Sequence, residues 1–376
     1  MIVLMILIVA LIACVMFLYF YRKHEKATGH TPYIEALIAL LENRENLAMK
    51  KFKEAVSIDS DLVDAYVRLG DLYRKKGDVE RAVQIHQSLT VRPTLNKHEE
   101  KKVYLALVND MLEATRLNKA TSFLKEIIKM DKKDKHAREL ILKIYEDMGN
   151  YVDCIALYEE GGTKLKDDRR HAFYYASLAI SRLKNINDKD SDADKEVVSL
   201  LKKALKITPD SFAALFQFAS YYEQKGNLKK AKEYYHRIMT QHPDRAFSVV
   251  PKFEKVYFEL GLFDELIPIY EKIFQNNLKN FAVGFALAHV YEKKNDLAGA
   301  REVYGKLADV YPNSVLPRLR MVKASIKDKA LKEKIAEMEA TVAQEKYKCK
   351  GCGFTTEKFT LLCPKCHAIE SFLLYL

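Results

Sequence analysis

Four cysteines near the C-terminus stand in two closely spaced pairs, and this spacing is the strongest chemical signal in the chain. Cys349 pairs with Cys352 and Cys363 with Cys366, with two residues between the partners in each case. Two such pairs can place four sulfurs at the corners of a tetrahedron, an arrangement that suits zinc or iron. We expect one bound metal, zinc before iron, because a structural site needs no redox chemistry.

Two alternatives exist for this cluster. Close cysteines can form disulfides, but the cytoplasmic location predicted below disfavours them. His367 follows the last cysteine and could replace a sulfur, but with four cysteines present we expect it to be a bystander. The final segment of about thirty residues, 346–376, is too small to hold a core without metal. We expect its apolar tail, residues 369–376, to complete a small sheet and dock on the preceding chain.

The middle of the chain must position this cluster, and its apolar pattern predicts pairs of amphipathic helices. Between residues 212 and 243, an apolar stripe marks one helix, Gly226 allows a left-handed turn, and Pro243 ends a second helix. Such a hairpin cannot bury its apolar face alone, so it must stack on neighbours. The stripe consists of Leu215, Phe218, Ala219 and Tyr222.

A small or aliphatic residue near the start of each second helix recurs along the chain. Four of the seven intervals between these positions are 34 residues, and the others are 35, 38 and 43. The pattern resembles the tetratricopeptide repeat, whose period is about 34. The resemblance implies an all-α solenoid of about eight repeats over residues 31–312. The recurring positions are Ala48, Ala82, Ala120, Cys154, Val197, Ala231, Leu266 and Ala300.

Alignment of the first helices of the repeats suggests a binding surface. Three phenylalanines take equivalent positions, and small or polar residues follow one turn later. In a tetratricopeptide superhelix such positions line the concave groove, so the resemblance implies a track that binds a peptide. The equally weighted alternative is that the phenylalanines pack between helices. The candidate groove residues are Phe173, Phe216 and Phe285, with Ser177, Ser220 and His289.

Residues 1–21 carry no charged side chain and are apolar almost throughout. About twenty helical residues span about 30 Å, the thickness of a bilayer core. The segment lacks the basic start and cleavage site of a signal peptide, so we expect a transmembrane anchor. The linker 22–30 carries Arg22, Lys23 and Lys26. Positive charge after the span predicts a single-pass protein whose bulk is cytoplasmic.

Composition excludes several functional classes. The net charge is +11, but Lys and Arg are interspersed with Glu and Asp, so we expect no nucleic-acid partner. Common enzyme motifs for nucleotide binding, metalloprotease or serine-hydrolase chemistry are absent from the sequence, which favours a protein that is not an enzyme. Residues 313–345 are predicted to cap the array through one helix, from Val315 to Glu345, and to lead to the ribbon.

The order of these parts resembles the lipopolysaccharide assembly protein B family. The resemblance rests on an anchor with a basic flank, tetratricopeptide repeats, and a C-x-x-C-G and C-P-x-C ribbon. It implies that the four cysteines are rubredoxin-like metal ligands. It also implies a non-catalytic adaptor on the cytoplasmic face of the bacterial inner membrane. The partners would be a membrane-bound AAA+ protease and its soluble client, the deacetylase that commits lipid A synthesis.

Two other functions fit the same parts. A generic membrane-tethered co-chaperone or scaffold would use the groove for peptide tails and the ribbon only as a cap. An electron-transfer protein would carry iron in the rubredoxin-like ribbon. The identity of the bound partners distinguishes the co-chaperone or scaffold from the adaptor. The identity of the metal distinguishes the electron-transfer protein.

Overall fold

A computed structural model describes residues 16, 30–93, 95–160, 167–184, 191–342 and 346–375. Apart from Met16, the predicted anchor lies outside the described residues. Within the described ranges, no helix is both long enough and apolar enough to cross a membrane. The chain divides into two compact units, residues 1–144 and 145–376.

Most of the described chain is helical, and up to residue 310 the helices follow one another as pairs. The first four pairs are α1 (His30–Leu41) and α2 (Glu45–Ile58), α3 (Val63–Lys75) and α4 (Val79–Thr90), α5 (Lys97–Glu113) and α6 (Leu117–Met130), and α7 (Lys135–Asp147) and α8 (Tyr151–Glu160). The next four are α9 (Asp168–Lys184) and α10 (Ser191–Ile207), α11 (Phe212–Gln224) and α12 (Leu228–Gln241), α13 (Val250–Glu259) and α14 (Leu266–Asn276), and α15 (Phe281–Lys293) and α16 (Leu297–Val310). The all-α repeat architecture predicted from the sequence is therefore confirmed for the described residues.

The turns within the pairs show why the chain reverses. The turn residue has a positive φ in each of the seven pairs whose turn is described, as Gly226 does at +71°. This left-handed backbone ends the first helix. The next helix is often capped by a side chain, and Asn227 accepts a hydrogen bond from the N–H of Lys230 at 3.2 Å. The turn residues are Asn43, Gly77, Thr115, Gly149, Gly226, Gly261 and Asn295.

The recurring residues that defined the repeat are all buried. Each of the eight, from Ala48 to Ala300, is at most 1% exposed. In α2, α4, α6, α8, α12 and α16 this residue is the fourth of its helix. A bulkier side chain at that position would push the paired helices apart, which explains why the position holds only small or aliphatic residues. Cys154 is one of these residues, and its predicted place in the core is confirmed.

The first unit contains a buried polar cluster within its repeats. His86 and Asp110 are fully buried, and Nδ1 of His86 lies 2.6 Å from Oδ2 of Asp110. Arg74 donates to the other carboxylate oxygen at 2.8 Å. Gly70 has no side chain, which leaves room for the His86 ring directly against α3. The buried nitrogen and oxygen atoms of His86 and Asp110 all have hydrogen-bond partners, so we interpret the cluster as structural.

The segment after the repeats differs from the prediction. A single helix from Val315 to Glu345 was expected, but the described chain forms α17 (Leu316–Ser325) and α18 (Lys329–Val342). The break follows from Ile326, whose ψ of 140° is extended, and from Asp328, which accepts from the N–H of Leu331 at 2.9 Å. The apolar pattern alone predicts one continuous helix through this point. The capping aspartate instead starts a second helix.

The C-terminal ribbon contains a small antiparallel sheet. Its strands are β1 (Lys346–Cys349), β2 (Thr355–Thr356) and β3 (Phe372–Tyr375), in the order β2-β1-β3. Tyr347 pairs with Leu374 across β1 and β3. The apolar tail therefore completes the sheet, as predicted from the sequence.

Candidate metal centre and binding cavity

The four cysteines of the ribbon converge on one point. Their sulfur atoms all lie within 4.8 Å of one another. The distance is 3.7 Å between Cys349 and Cys366, and 3.7 Å between Cys352 and Cys363. Zn–S bonds of about 2.3 Å in a tetrahedron require about 3.8 Å between sulfurs, whereas a disulfide requires about 2.05 Å. The cluster can hold a metal ion, and the choice between zinc and iron stays a prediction.

Two similar turns aim these sulfurs. The N–H of Gly353 donates to the carbonyl of Cys349, and the N–H of His367 donates to the carbonyl of Cys363, both at 2.9 Å. Both turn residues are left-handed, with φ of +73° at Gly353 and +57° at His367. Glycine adopts this backbone freely, whereas a histidine there is strained. The second turn therefore carries a backbone strain that the first turn does not.

The surroundings of the sulfurs favour thiolates only in part. Burial would raise the pKa of the Cys349 thiol, but the hydroxyl of Ser371, 3.1 Å away, and nearby backbone N–H groups lower it to about 6. At Cys366 the backbone N–H of Ala368 lowers the pKa, yet burial and the neighbouring sulfurs raise it to about 12. Four thiolates this close repel each other, and a divalent cation would remove that repulsion.

His367 does not belong to the four-cysteine group, as expected, but its side chain makes contacts that the sequence did not predict. Its Nδ1 lies 2.9 Å from Oε2 of Glu146, and its Nε2 lies 3.4 Å from Oδ1 of Asp147, at the end of α7. The Glu146 side chain is fully buried and accepts hydrogen bonds from Arg170 at 2.6 Å and from the hydroxyl of Tyr174 at 2.6 Å. The histidine therefore joins the ribbon to a buried ionic network of the repeats.

A second polar contact attaches the ribbon elsewhere in the same unit. Glu370 accepts from Nη1 of Arg245 at 2.7 Å and from the backbone N–H of Ala213 at 2.9 Å. Ala213 lies in the first turn of α11, where the N–H groups have no partner within the helix and, together with the helix dipole, stabilise a carboxylate. Phe247 stacks on Tyr347 of β1 with ring centroids 5.6 Å apart. The ribbon is thus docked on the repeats, as predicted, although neither polar anchor was foreseen.

A cavity of about 510 Å³ lies where the ribbon meets the last repeats. Helices α13, α15 and α17 form most of its wall, and Leu374 of β3 closes one side. The wall is mostly apolar, with Glu254, His289 and Arg320 among its polar groups. This size and composition are typical of binding pockets.

The polar groups of the cavity have perturbed protonation. Burial raises the pKa of Glu254, whose carboxylate accepts from the hydroxyl of Tyr270 at 3.4 Å. Burial, together with the charges of Lys293 and Arg320, lowers the pKa of His289, so its ring is neutral near pH 7. A neutral imidazole can both donate and accept a hydrogen bond. The cavity therefore offers directional polar contacts within an apolar wall.

Four of the six candidate groove residues are at least partly exposed or line the cavity. Phe285 and His289 line the cavity. Phe216 is half-buried below Lys252, whose Nζ lies 5.1 Å from the ring centroid and 3.4 Å from Oγ of Ser220. For these four residues, a role in binding stays a prediction.

Phe173 and Ser177 require a correction, because both are buried. The Phe173 ring packs edge-on against Tyr151, with centroids 6.3 Å apart. It leaves no free surface for a peptide, and the alternative of packing between helices describes it. The repeat alignment could not separate Phe173 from Phe285, because their different burial depends on contacts between helices that the alignment does not contain.

Comparisons with family models support the repeat architecture. Family models described as tetratricopeptide repeat match residues 65–99, 213–245 and 283–314. Similar solved structures include the C-terminal part of a repeat-containing protein from Cytophaga hutchinsonii. That protein is 16% identical, with 77% of this chain and 99% of that chain covered and a TM-score of 0.37.

Relatives with curated names cover nearly the whole chain. Lipopolysaccharide assembly protein B of Escherichia coli K12 is 23% identical over 351 residues, which is 89% of this chain and 87% of that protein. The protein of the same name from Haemophilus influenzae is 22% identical over 354 residues, covering 90% and 88%. The resemblance of this tetratricopeptide-repeat chain to the lipopolysaccharide assembly protein B family is therefore confirmed along about nine-tenths of its length.

Proposed function

We propose that the protein is a non-catalytic adaptor of lipopolysaccharide synthesis at the bacterial inner membrane. The observation that carries this proposal is the similarity to lipopolysaccharide assembly protein B over 89% of the chain. In the finer form of the proposal, the adaptor presents the deacetylase that commits lipid A synthesis to a membrane-bound AAA+ protease. Degradation of that enzyme would then limit lipopolysaccharide production.

The cavity beside the ribbon is the proposed client site. Phe285 lies in its wall and is held in place by two other rings, Phe281 at 4.5 Å and Tyr304 at 5.3 Å between centroids. A rigid aromatic group in a concave surface binds an apolar side chain with little loss of entropy. His289 can fix the direction of a bound segment through a hydrogen bond. An exposed apolar segment of a client protein fits this combination.

The metal centre would act on this site through the ribbon. A bound metal supplies four sulfur bonds that hold the two turns and β1 together. Residues of the ribbon connect this centre to the cavity. His367 and Glu370 fix the ribbon on the repeats, and Leu374 then forms part of the cavity wall. Loss of the metal should therefore weaken client binding without a direct contact between metal and client.

The anchor, residues 1–21, would confine the repeats to the membrane surface. Confinement raises the local concentration of a bound client around a protease in the same membrane, so neither contact needs to be tight. This part of the proposal rests on the uncharged apolar run and its basic flank.

The proposal is tested by the lifetime of the deacetylase in the cells from which the protein comes. Deleting the adaptor should lengthen that lifetime and raise lipopolysaccharide content, and Phe285→Ala should do so in part. Phe258→Ala is the matched control, because this ring is exposed and lies outside the cavity wall. An unchanged deacetylase lifetime after deletion would overturn the proposed function.

A further inference from the structure

The first helix carries an apolar stripe that faces outward. Ile34, Ile38 and Leu41 lie at i, i+4 and i+7 on α1, and their exposed fractions are 54%, 50% and 84%. The opposite face of α1 is also apolar, and its Ala36 and Ala39 are buried in the core of the first unit. A helix that is apolar on both faces normally has partners on both faces.

The repeat itself shows that the outward face is normally covered. Ile38 stands ten residues before the buried residue Ala48. The structure describes six other residues in the equivalent position, and each is at most 7% exposed. These residues are Leu72, Asp110, Ile144, Tyr221, Val256 and Val290. Ile38 occupies a position that a repeat array buries, yet within the described ranges it is half exposed.

The adjoining sequence narrows the choice of partner. Residues 22–29, Arg-Lys-His-Glu-Lys-Ala-Thr-Gly, contain no large apolar side chain that could cover the stripe. Eight residues reach at most about 28 Å, so α1 begins within that distance of the membrane boundary if residues 1–21 span the bilayer. We propose that α1 lies in the lipid interface, with Ile34, Ile38 and Leu41 in contact with acyl chains. This inference rests on the membrane anchor of the proposed function.

The charges around the stripe are compatible with a lipid surface. Glu35 is paired with Lys51 at 2.6 Å, and Glu42 is paired with Arg44 at 3.3 Å. The acidic groups in α1 and directly after it are therefore offset by neighbouring cations. The preceding linker is basic and attracts anionic headgroups. An interfacial helix of this kind would fix how the first hairpin meets the membrane, where a flexible tether would not.

The absence of tryptophan from the sequence allows a direct test. Ile38→Trp gives the full-length protein a single tryptophan at an exposed site. The variant is reconstituted in vesicles of phosphatidylethanolamine and phosphatidylglycerol, with and without brominated acyl chains. We expect bromine to remove most of the tryptophan emission of this variant. Val91→Trp is the control, because Val91 is 81% exposed in the same unit and its replacement has the same intrinsic preference for lipid.

Flotation of the same vesicles separates this inference from the anchor. If the protein floats and the emission of the Ile38→Trp variant is not quenched, the interfacial helix is wrong and the anchor stands. If its emission shifts to shorter wavelength without quenching by bromine, another protein surface, such as a second copy, covers the stripe, and the inference is again wrong. If the protein does not float, both the anchor and the inference fail.

Discussion

Replacing His367 by alanine should loosen the ribbon without changing a metal ligand. The substitution removes the 2.9 Å contact between the imidazole and the buried carboxylate of Glu146. A hydrogen bond to a charged group contributes about 1.5–3 kcal/mol. Arg170 and Tyr174 keep the Glu146 charge paired through Oε1, whereas the other oxygen, Oε2, loses its contact with His367. The undocked ribbon should become about 10- to 150-fold more populated.

A glycine at the same position separates the contact from the backbone strain. His367 has a φ of +57°, and a side chain at such a φ costs roughly 1–2 kcal/mol. His367→Gly loses the same contact but relieves this strain. It should therefore be less destabilised than His367→Ala, by up to about 1 kcal/mol once the greater entropy loss of glycine is subtracted.

Hydrogen exchange of the Ala213 amide, which donates to Glu370 between the repeats and the ribbon, measures this opening in the metal-loaded protein. Its protection should fall by about 10- to 150-fold in His367→Ala and by less in His367→Gly. Lys365→Ala is the control, because Lys365 lies in the same turn and is exposed. Protection equal to the wild type in His367→Ala would show that the contact with Glu146 does not hold the ribbon, and a glycine variant less protected than the alanine variant would exclude backbone strain at residue 367.

Three further predictions follow from the structure. Cys363→Ser should release the metal and unfold the ribbon while circular dichroism shows that the repeats stay helical; an iron-filled wild-type protein with a reversible redox couple would favour electron transfer instead. Phe285→Ala should weaken binding of a client peptide by about 2 kcal/mol, roughly thirtyfold, in a titration where Phe258→Ala binds normally. Equal binding by both variants would show that the cavity is not the client site. Gly70→Ala should destabilise the first unit by about 1–3 kcal/mol in thermal unfolding, because its Cβ would clash with the His86 ring; an unchanged melting temperature would contradict that contact.

The repeats and the metal cluster could be predicted because their signals are local. Ala48 and its equivalents recur at nearly constant intervals, and each is buried as the interval requires. The two cysteine pairs are short turns of the chain, and both turns close with the same backbone hydrogen bond. Neither inference needed knowledge of how distant segments meet.

The docking of the ribbon could not be predicted, because its contacts join distant segments. Glu146 and His367 are 221 residues apart, and Arg245 and Glu370 are 125 residues apart. Charged residues and histidine are common on protein surfaces, so the sequence gives no sign that these residues meet. Only the stacking of the repeats brings them together. The break at Ile326 was missed for a different reason, since the apolar spacing continues through it and one capping aspartate decides the outcome.

The proposed adaptor function is tested by separating the binding of the client from the attachment of the protein to the membrane. Residues 1–21 are replaced by a soluble tag, and the variant is expressed at native abundance in cells that lack the wild-type protein. This variant should still bind the deacetylase in solution but should no longer shorten its lifetime in the cell, because the client is not held beside the membrane protease. A deacetylase lifetime as short as in wild-type cells would rule out the tethered adaptor and favour a soluble chaperone.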